Sequence, residues 1–353
     1  MTKAIAKRVR NEGKGMSDAM NPSNLSRAPS DESSDSLDSA PPRVSVLMPV
    51  YNGEQYLEEA ADSILAQTFR DFEFLIMNDG STDRTGEHLD RLAARDDRIR
   101  VFHRKNRGII DTLNEMLQLA RAPLIARMDA DDVALPERFA RQVRYLDEHP
   151  ECVSVGTDIM LIDPDGHDIV ARTFPTTHEE IDQALLLGAT PYCHPATMFR
   201  RETVLEIGGY HDDCLHAEDL DLFLRLGEVG RLGNLPDPLF KHREHFGMVG
   251  VKHARIQGES TRRILLEAHE RRGLTPPESV RRLVFDPLPP AEKHRNWSRW
   301  ALAVGNVATA RKHALAAFRL QPFSRSTWKV LIGCAVSGTK IGNRLVASRL
   351  ANP

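Results

Sequence analysis

At 353 residues the chain is long enough to bury a large core and to hold one sizeable domain with an appendage. It is 41% hydrophobic and 27% charged, with a mean hydropathy of -0.39, which is the composition of a soluble globular protein. A formal charge of -3 excludes a strongly basic nucleic-acid binder on global grounds, and no apolar run approaches the roughly 18 residues a membrane helix needs.

Residues 1–42 contain little that can pack. The tract Ser30-Asp-Glu-Ser-Ser-Asp-Ser-Leu-Asp-Ser39 is polar and acidic, so burial cannot offset its ordering entropy, and a disordered leader is expected. Order is expected from Arg43. Val44–Met48 reads as a buried strand running into the turn Pro49-Val-Tyr-Asn-Gly53, and 54–66 as a helix with Leu57, Ala60, Ala61, Ile64 and Leu65 on one face. Phe72–Met77 is the next strand, with the polar exit Asn78-Asp-Gly-Ser-Thr-Asp83. The alternation continues through a helix at 85–94, a strand at 99–103, a helix at 109–120 and a strand at 124–128. Right-handed crossovers between such strands give a mostly parallel, doubly wound sheet, whose ligands sit at the carboxyl ends of the strands.

Those ends carry Tyr51, Asn52, Asp79, Asp83, Asp129, Asp131 and Asp132. Turns use Asp and Asn in any case, but Asp129-Ala-Asp131-Asp132 crowds three carboxylates into four residues. Carboxylates so close repel one another and favour a divalent cation such as Mn²⁺ or Mg²⁺.

Further on, a helix is expected at 136–148, a strand at 152–162 closed by Asp163-Pro-Asp-Gly166, and less regular sequence around His194. His194 either faces a substrate or caps the apolar strand Ala196–Phe199. Ala217-Glu218-Asp219 opens a helix with acids, Leu239–His245 reads as a short strand leading to histidines, and 251–272 as a long helix. From Lys293 to Pro353 there is no Asp or Glu, while 11 residues are Lys or Arg. The stretch 297–332 reads as amphipathic helices like a fragment of a tetratricopeptide repeat. It is either an appendage with a solvated charged face or a surface attracted to an anionic membrane. Cys152, Cys193, Cys214 and Cys334 are scattered without C-x-x-C spacing, as buried thiols of a reducing compartment would be, and the cytoplasm is the expected location.

Val44-Ser-Val-Leu-Met-Pro-Val-Tyr-Asn, Ser63-Ile-Leu-Ala-Gln-Thr-Phe, Asn78-Asp-Gly-Ser-Thr-Asp, Met128-Asp-Ala-Asp-Asp and Glu218-Asp219 occur in an order that resembles the family-two glycosyltransferases of the GT-A fold. The resemblance covers 43–246. It implies a Rossmann-like GT-A domain over 43–250, while the helix and linker (251–290) and the basic helical C-terminal region (291–353), read from their own pattern, lie outside it. It further implies a nucleoside pocket at Pro49, Tyr51 and Asn52, with Asp79 as partner of a uracil ring. Asp129-Ala-Asp131 matches the family's D-x-D segment, in which Asp129 addresses ribose or metal and Asp131 binds the metal, and His245 resembles a further metal or phosphate contact. Glu218-Asp219 resembles the catalytic acid pair, with Asp219 as general base. The implied reaction is an inverting, metal-dependent transfer from a nucleotide-diphosphate sugar, UDP-linked, to a hydroxyl of a glycan or lipid-linked acceptor.

Two rivals remain at this level. A nucleotide-sugar pyrophosphorylase would place a glycine-rich phosphate loop after the first strand, where Pro49-Val-Tyr-Asn-Gly53 is not one. A non-catalytic nucleotide- or glycan-binding relative would have no use for a base. Neither would a dehydrogenase lack G-x-G-x-x-G after Met48.

Overall fold

The computed structural model describes residues 40–248 and 253–337. The leader expected over 1–42 lies almost wholly outside the described residues, as does the end of the basic region, 338–353.

Strand β1 (Val44–Val50) is buried along its whole length, so it is apolar except at Ser45, whose hydroxyl donates to Glu73 Oε1 at 2.6 Å. It lies between β2 (Phe72–Asp79) and β4 (Leu124–Arg127), parallel to both, with Val44 opposite Phe72 on one side and Leu124 on the other. β3 (Ile99–Arg104) extends this parallel half beyond β2. The crossovers are α1 (Leu57–Leu65), α2 (Thr85–Ala93) and α3 (Ile109–Leu119), whose buried stripes follow the expected helical spacing.

On the other side of β4 the pairing changes. After β5 (Val133–Ala134) and α4 (Arg138–Glu148) come β6 (Cys152–Ile162), β7 (Asp168–Arg172), α5 (His178–Leu186), β8 (Met198–Arg200) and α6 (Arg201–Glu206). Strand β8 runs antiparallel to both β4 and β6. Then follow α7 (Glu218–Val229), which opens with the acid pair, and β9 (Arg231–Arg243). The sheet order is β3-β2-β1-β4-β8-β6-β9-β5, with β7 on the far part of β6.

Strand β9 is longer than the short strand expected at Leu239–His245. Pro236 and Pro238 argue against a strand from sequence alone, since proline cannot donate to a ladder. Here the register against β6 shifts between Thr157 and Ile159, where those prolines sit, and pairing resumes to Ile162 opposite Arg243. The strand therefore reaches the end of the sheet that carries Asp131 and Asp132.

Beyond it lie α8 (Ala254–Arg271), α9 (Glu278–Arg281), α10 (Pro290–Ala303), α11 (Val307–Leu320) and α12 (Arg325–Val336). Helix α8 packs on α7 in one apolar cluster with α3 and α5. Trp297, Ala301, Ala310, Ala314 and Val330 join the other cluster, which contains Val44, Met48 and the inward face of α1.

Candidate active site

The exits of β1 and β2 are stitched together by side chains. Asn52 takes a left-handed conformation, with φ 52°, and its Oδ1 accepts the Thr82 N–H at 2.8 Å. The Asn52 N–H donates to Ser81 Oγ at 2.9 Å, and the Gly53 N–H to Thr85 Oγ1 at 2.9 Å. Pro49 is buried opposite Met77, whereas Tyr51 is 56% exposed on the rim. This turn abuts the acid segment: a Cβ on Gly53 would lie 3.6 Å from that of Ala130.

Asp79, expected to meet a base, also organises the neighbouring loop. Its Oδ1 accepts from Arg104 Nε at 2.8 Å and the Arg107 N–H at 3.0 Å, and its Oδ2 from the Gly108 N–H at 2.8 Å. Of the roughly four acceptor positions a carboxylate offers, three are filled, leaving one for a ligand.

The three clustered acids have different surroundings, although their oxygens lie within 4.8 Å of one another. Asp132 is buried, accepting the Arg243 N–H at 2.7 Å and facing His242 Nδ1 at 3.1 Å. Burial opposes a charge on His242, but the adjacent Asp132 raises its pKa well above the ordinary value. Asp131 and Asp129 are one-third exposed. Asp131 Oδ2 lies 2.8 Å from His245 Nε2 and Asp129 Oδ1 lies 2.7 Å from Arg127 Nη2. Burial disfavours the Asp131 carboxylate, yet His245 and His242 outweigh it and lower its pKa. The His245 Nδ1 accepts the Gly247 N–H at 3.0 Å, so the imidazole proton sits on Nε2 and is donated to Asp131. Partly exposed, hard oxygen donors at this spacing fit a divalent cation.

The acid pair lies within reach of the same charges. Burial pushes the Glu218 carboxyl up to about 7, helped by Asp219, while Asp219 is raised by burial and held down in part by the Leu220 N–H at 2.8 Å. Asp129 acts on both. Glu218 Oε2 is buried without a hydrogen-bond partner among the described residues, and so is Arg127 Nε. The chain enters α7 through His216, whose φ of 65° is uncommon for a non-glycine residue and marks local strain.

Arg127 was not singled out by the sequence. It is 4% exposed in its side chain, and burial opposes its charge, but Asp129, Tyr210 and Glu218 together keep its pKa above the ordinary value. One guanidinium thus pairs with Asp129 of the acid cluster and lies in the field of Glu218. His194 turns out to be a core residue: its Nε2 is 2.8 Å from the Tyr210 hydroxyl, and burial lowers its pKa far below normal. Gly208 and Gly209 have φ of 88° and 70°, and a Cβ on Gly209 would come 2.5 Å from Asn114 Oδ1. Turn conformation and packing on Asn114 explain that pair.

A cavity opens beside Asp219, walled by Tyr192, Leu220, Phe223 and Phe285 and, from α8, by Gln257 and Thr261. No motif or spacing points to the last two, because α8 meets Asp219 only where the fold brings them to one cavity.

A half-parallel sheet with acids at its strand exits and a second acid pair opening α7 is the arrangement of a GT-A glycosyltransferase. Residues 45–208 match the model of glycosyl transferase family 2, and the chain belongs to that family. It is 34% identical over 215 residues to the amylovoran biosynthesis glycosyltransferase AmsE of Erwinia amylovora, covering 59% of this chain and 79% of that one. It is 33% identical over 206 residues to the O-antigen biosynthesis glycosyltransferase WbnJ of Escherichia coli, covering 57% and 80%. Among solved structures, S. aureus TarS in complex with UDP-GlcNAc superposes with a TM-score of 0.54 at 19% identity, over 83% of this chain and 79% of that one. That last likeness is one of fold.

Proposed function

We propose that this glycosyltransferase moves a sugar, with inversion, from a UDP-linked donor to a hydroxyl of a glycan or lipid-linked acceptor in polysaccharide biosynthesis. The observation that carries the reading is Arg127, which brings Asp129 of the acid cluster and the Glu218–Asp219 pair into one electrostatic unit. The relatives named for amylovoran and O-antigen biosynthesis support the acceptor class.

In this reading Pro49, Tyr51 and Asn52 wall the nucleoside, and the remaining acceptor position of Asp79 receives the imide N–H of uracil. Asp129 and Asp131 hold Mn²⁺ or Mg²⁺, with His245 ordering Asp131 as the nearest nitrogen. The bound cation supplies Lewis-acid stabilisation of the diphosphate leaving group. Asp219 lines the cavity and takes the proton of the attacking hydroxyl, which is a poor nucleophile until it is deprotonated. A donor screen with Mn²⁺, reading nucleotide release across UDP-, GDP- and dTDP-sugars, tests this. Release from a UDP-sugar that stops on chelation is expected. Release that chelation leaves unchanged would remove the metal assignment, and release only from another nucleotide would remove the uracil assignment.

We also infer a peripheral position at the inner face of the membrane. Among the described residues no helix is long and apolar enough to cross one. Phe323 is 96% exposed, near the exposed Leu320, Trp328 and Ile332, and the exposed Arg319, Arg325 and Lys329 make no ion pair among the described residues. Aromatic tips between unpaired basic residues suit an anionic interface. The full chain should co-sediment with phosphatidylserine vesicles, and Arg325→Glu/Lys329→Glu should not. Equal sedimentation of both proteins would sink this placement.

A further inference from the structure

The helices beyond the family segment reach the residues that flank the acid cluster. Helix α11 sends Lys312 Nζ to within 2.5 Å and His313 Nε2 to within 3.1 Å of the buried Asp163 carboxylate. Hydrogen bonds from His313 and Lys312, with the charge of the ammonium, lower the Asp163 pKa against the effect of its burial. Asp163, Asp165 and His167 are therefore a docking point, with an ammonium already where a metal would sit.

A second clamp is closer to the chemistry. Lys293 on α10 is more than nine-tenths buried, with its ammonium 2.9 Å from a Glu244 oxygen and 3.4 Å from the His245 carbonyl oxygen. The Phe246 and Trp297 rings lie 6.0 and 5.3 Å from that ammonium, and Phe246 also packs against His294 and Trp297. The segment needs such help. Strand β9 ends at Arg243, the Glu244 N–H still reaches Ile162 O at 2.8 Å, but the His245 N–H finds only the Met248 sulfur at 3.4 Å. The main chain that aims the imidazole at Asp131 is thus held from one side by the sheet and from the other by α10.

We propose that Lys293 is a positioning residue for the cation site: by bridging Glu244 and the His245 carbonyl it fixes the imidazole against Asp131, so that helices α10 to α12 complete the catalytic domain. This rests on the reading of Asp129 and Asp131 as cation ligands. Outer partners orient the ligands of a metal site, and removing one typically weakens metal binding about 10- to 100-fold.

The test is electron paramagnetic resonance titration of the full chain with Mn²⁺ in the presence of UDP. Lys293→Met should raise the Mn²⁺ Kd about tenfold, Lys293→Arg should hold it within about threefold, and Lys312→Met, which loosens the other clamp, should lower the unfolding temperature with little change in Kd. The double variant Lys293→Met/Glu244→Gln removes both charges of the pair, so it keeps the fold where the single variant leaves Glu244 without its ammonium, and it should still bind Mn²⁺ weakly. A parent that binds Mn²⁺ beside folded Lys293 variants of unchanged Kd overturns the positioning role alone. Equal weakening in the Lys293 and Lys312 variants overturns it too, as a general docking effect. A parent silent toward Mn²⁺ overturns the cation reading and this role with it.

Discussion

Asp219→Asn is expected to lower acceptor-dependent nucleotide release by about 10³-fold, within the 10²- to 10⁴-fold that a positioned general base contributes. Donor binding should change little, because Asp219 faces the cavity beside α8 and has no place among the β1 and β2 exit residues. The neighbouring Glu218→Gln separates the two acids. Glu218 keeps its proton up to about 7 in the folded chain, against an ordinary value of 4.5, because its carboxyl is buried beside Asp219. A raised pKa means that the folded state binds more protons than the unfolded one, so this group's contribution to stability falls as pH rises from 4.5 through about 7. The glutamine variant loses that slope, and its unfolding temperature should decline less than the parent's over this window. A parallel decline in both proteins would contradict the raised pKa, and full turnover in Asp219→Asn would move the base elsewhere.

The sequence exposes the parallel half of the sheet well, because buried strands such as Val44–Val50 must be apolar and their exits must be turns. The same pattern picks out Asp79 and Asp129–Asp132 as candidates, since turns use single acids in any case but seldom crowd three into four residues. Its failures have physical causes. Pro236 and Pro238 hide the first part of β9, because the register shift that tolerates them depends on β6. Arg127 looks like any basic residue at a strand end until the fold closes Glu218 and Tyr210 around it. Lys293 lies 48 residues from His245, and the sequence does not separate the basic residues that pair inward, Lys293 with Glu244 and Lys312 with Asp163, from those that stay exposed, such as Arg325 and Lys329. Spacing along one helix cannot show a contact made across the domain. The helical appendage expected at 291–353 is, over its described part, walled into the same core as β1.

Adjacent acids in Asp131-Asp132 should fail in opposite ways. Asp132 is buried and serves the Arg243 N–H and the half-buried His242, so Asp132→Ala leaves a buried donor without its acceptor and His242 without its charge partner. Breaking such a pair from one side costs about 3–5 kcal/mol, which should appear as a large drop in the denaturant midpoint. Asp131→Ala removes a partly exposed carboxylate whose partner, His245, can turn to water, so its stability cost should stay near 1 kcal/mol. Its activity cost is the larger, because Lewis-acid stabilisation of a leaving group is worth several kcal/mol, about 10²-fold or more in turnover. Denaturant unfolding and Mn²⁺ titration of the two variants side by side distinguish the roles. A stable Asp132→Ala protein that no longer binds Mn²⁺ would make Asp132 the ligand and Asp131 the brace for His245, reversing the assignment that exposure and hydrogen bonding give.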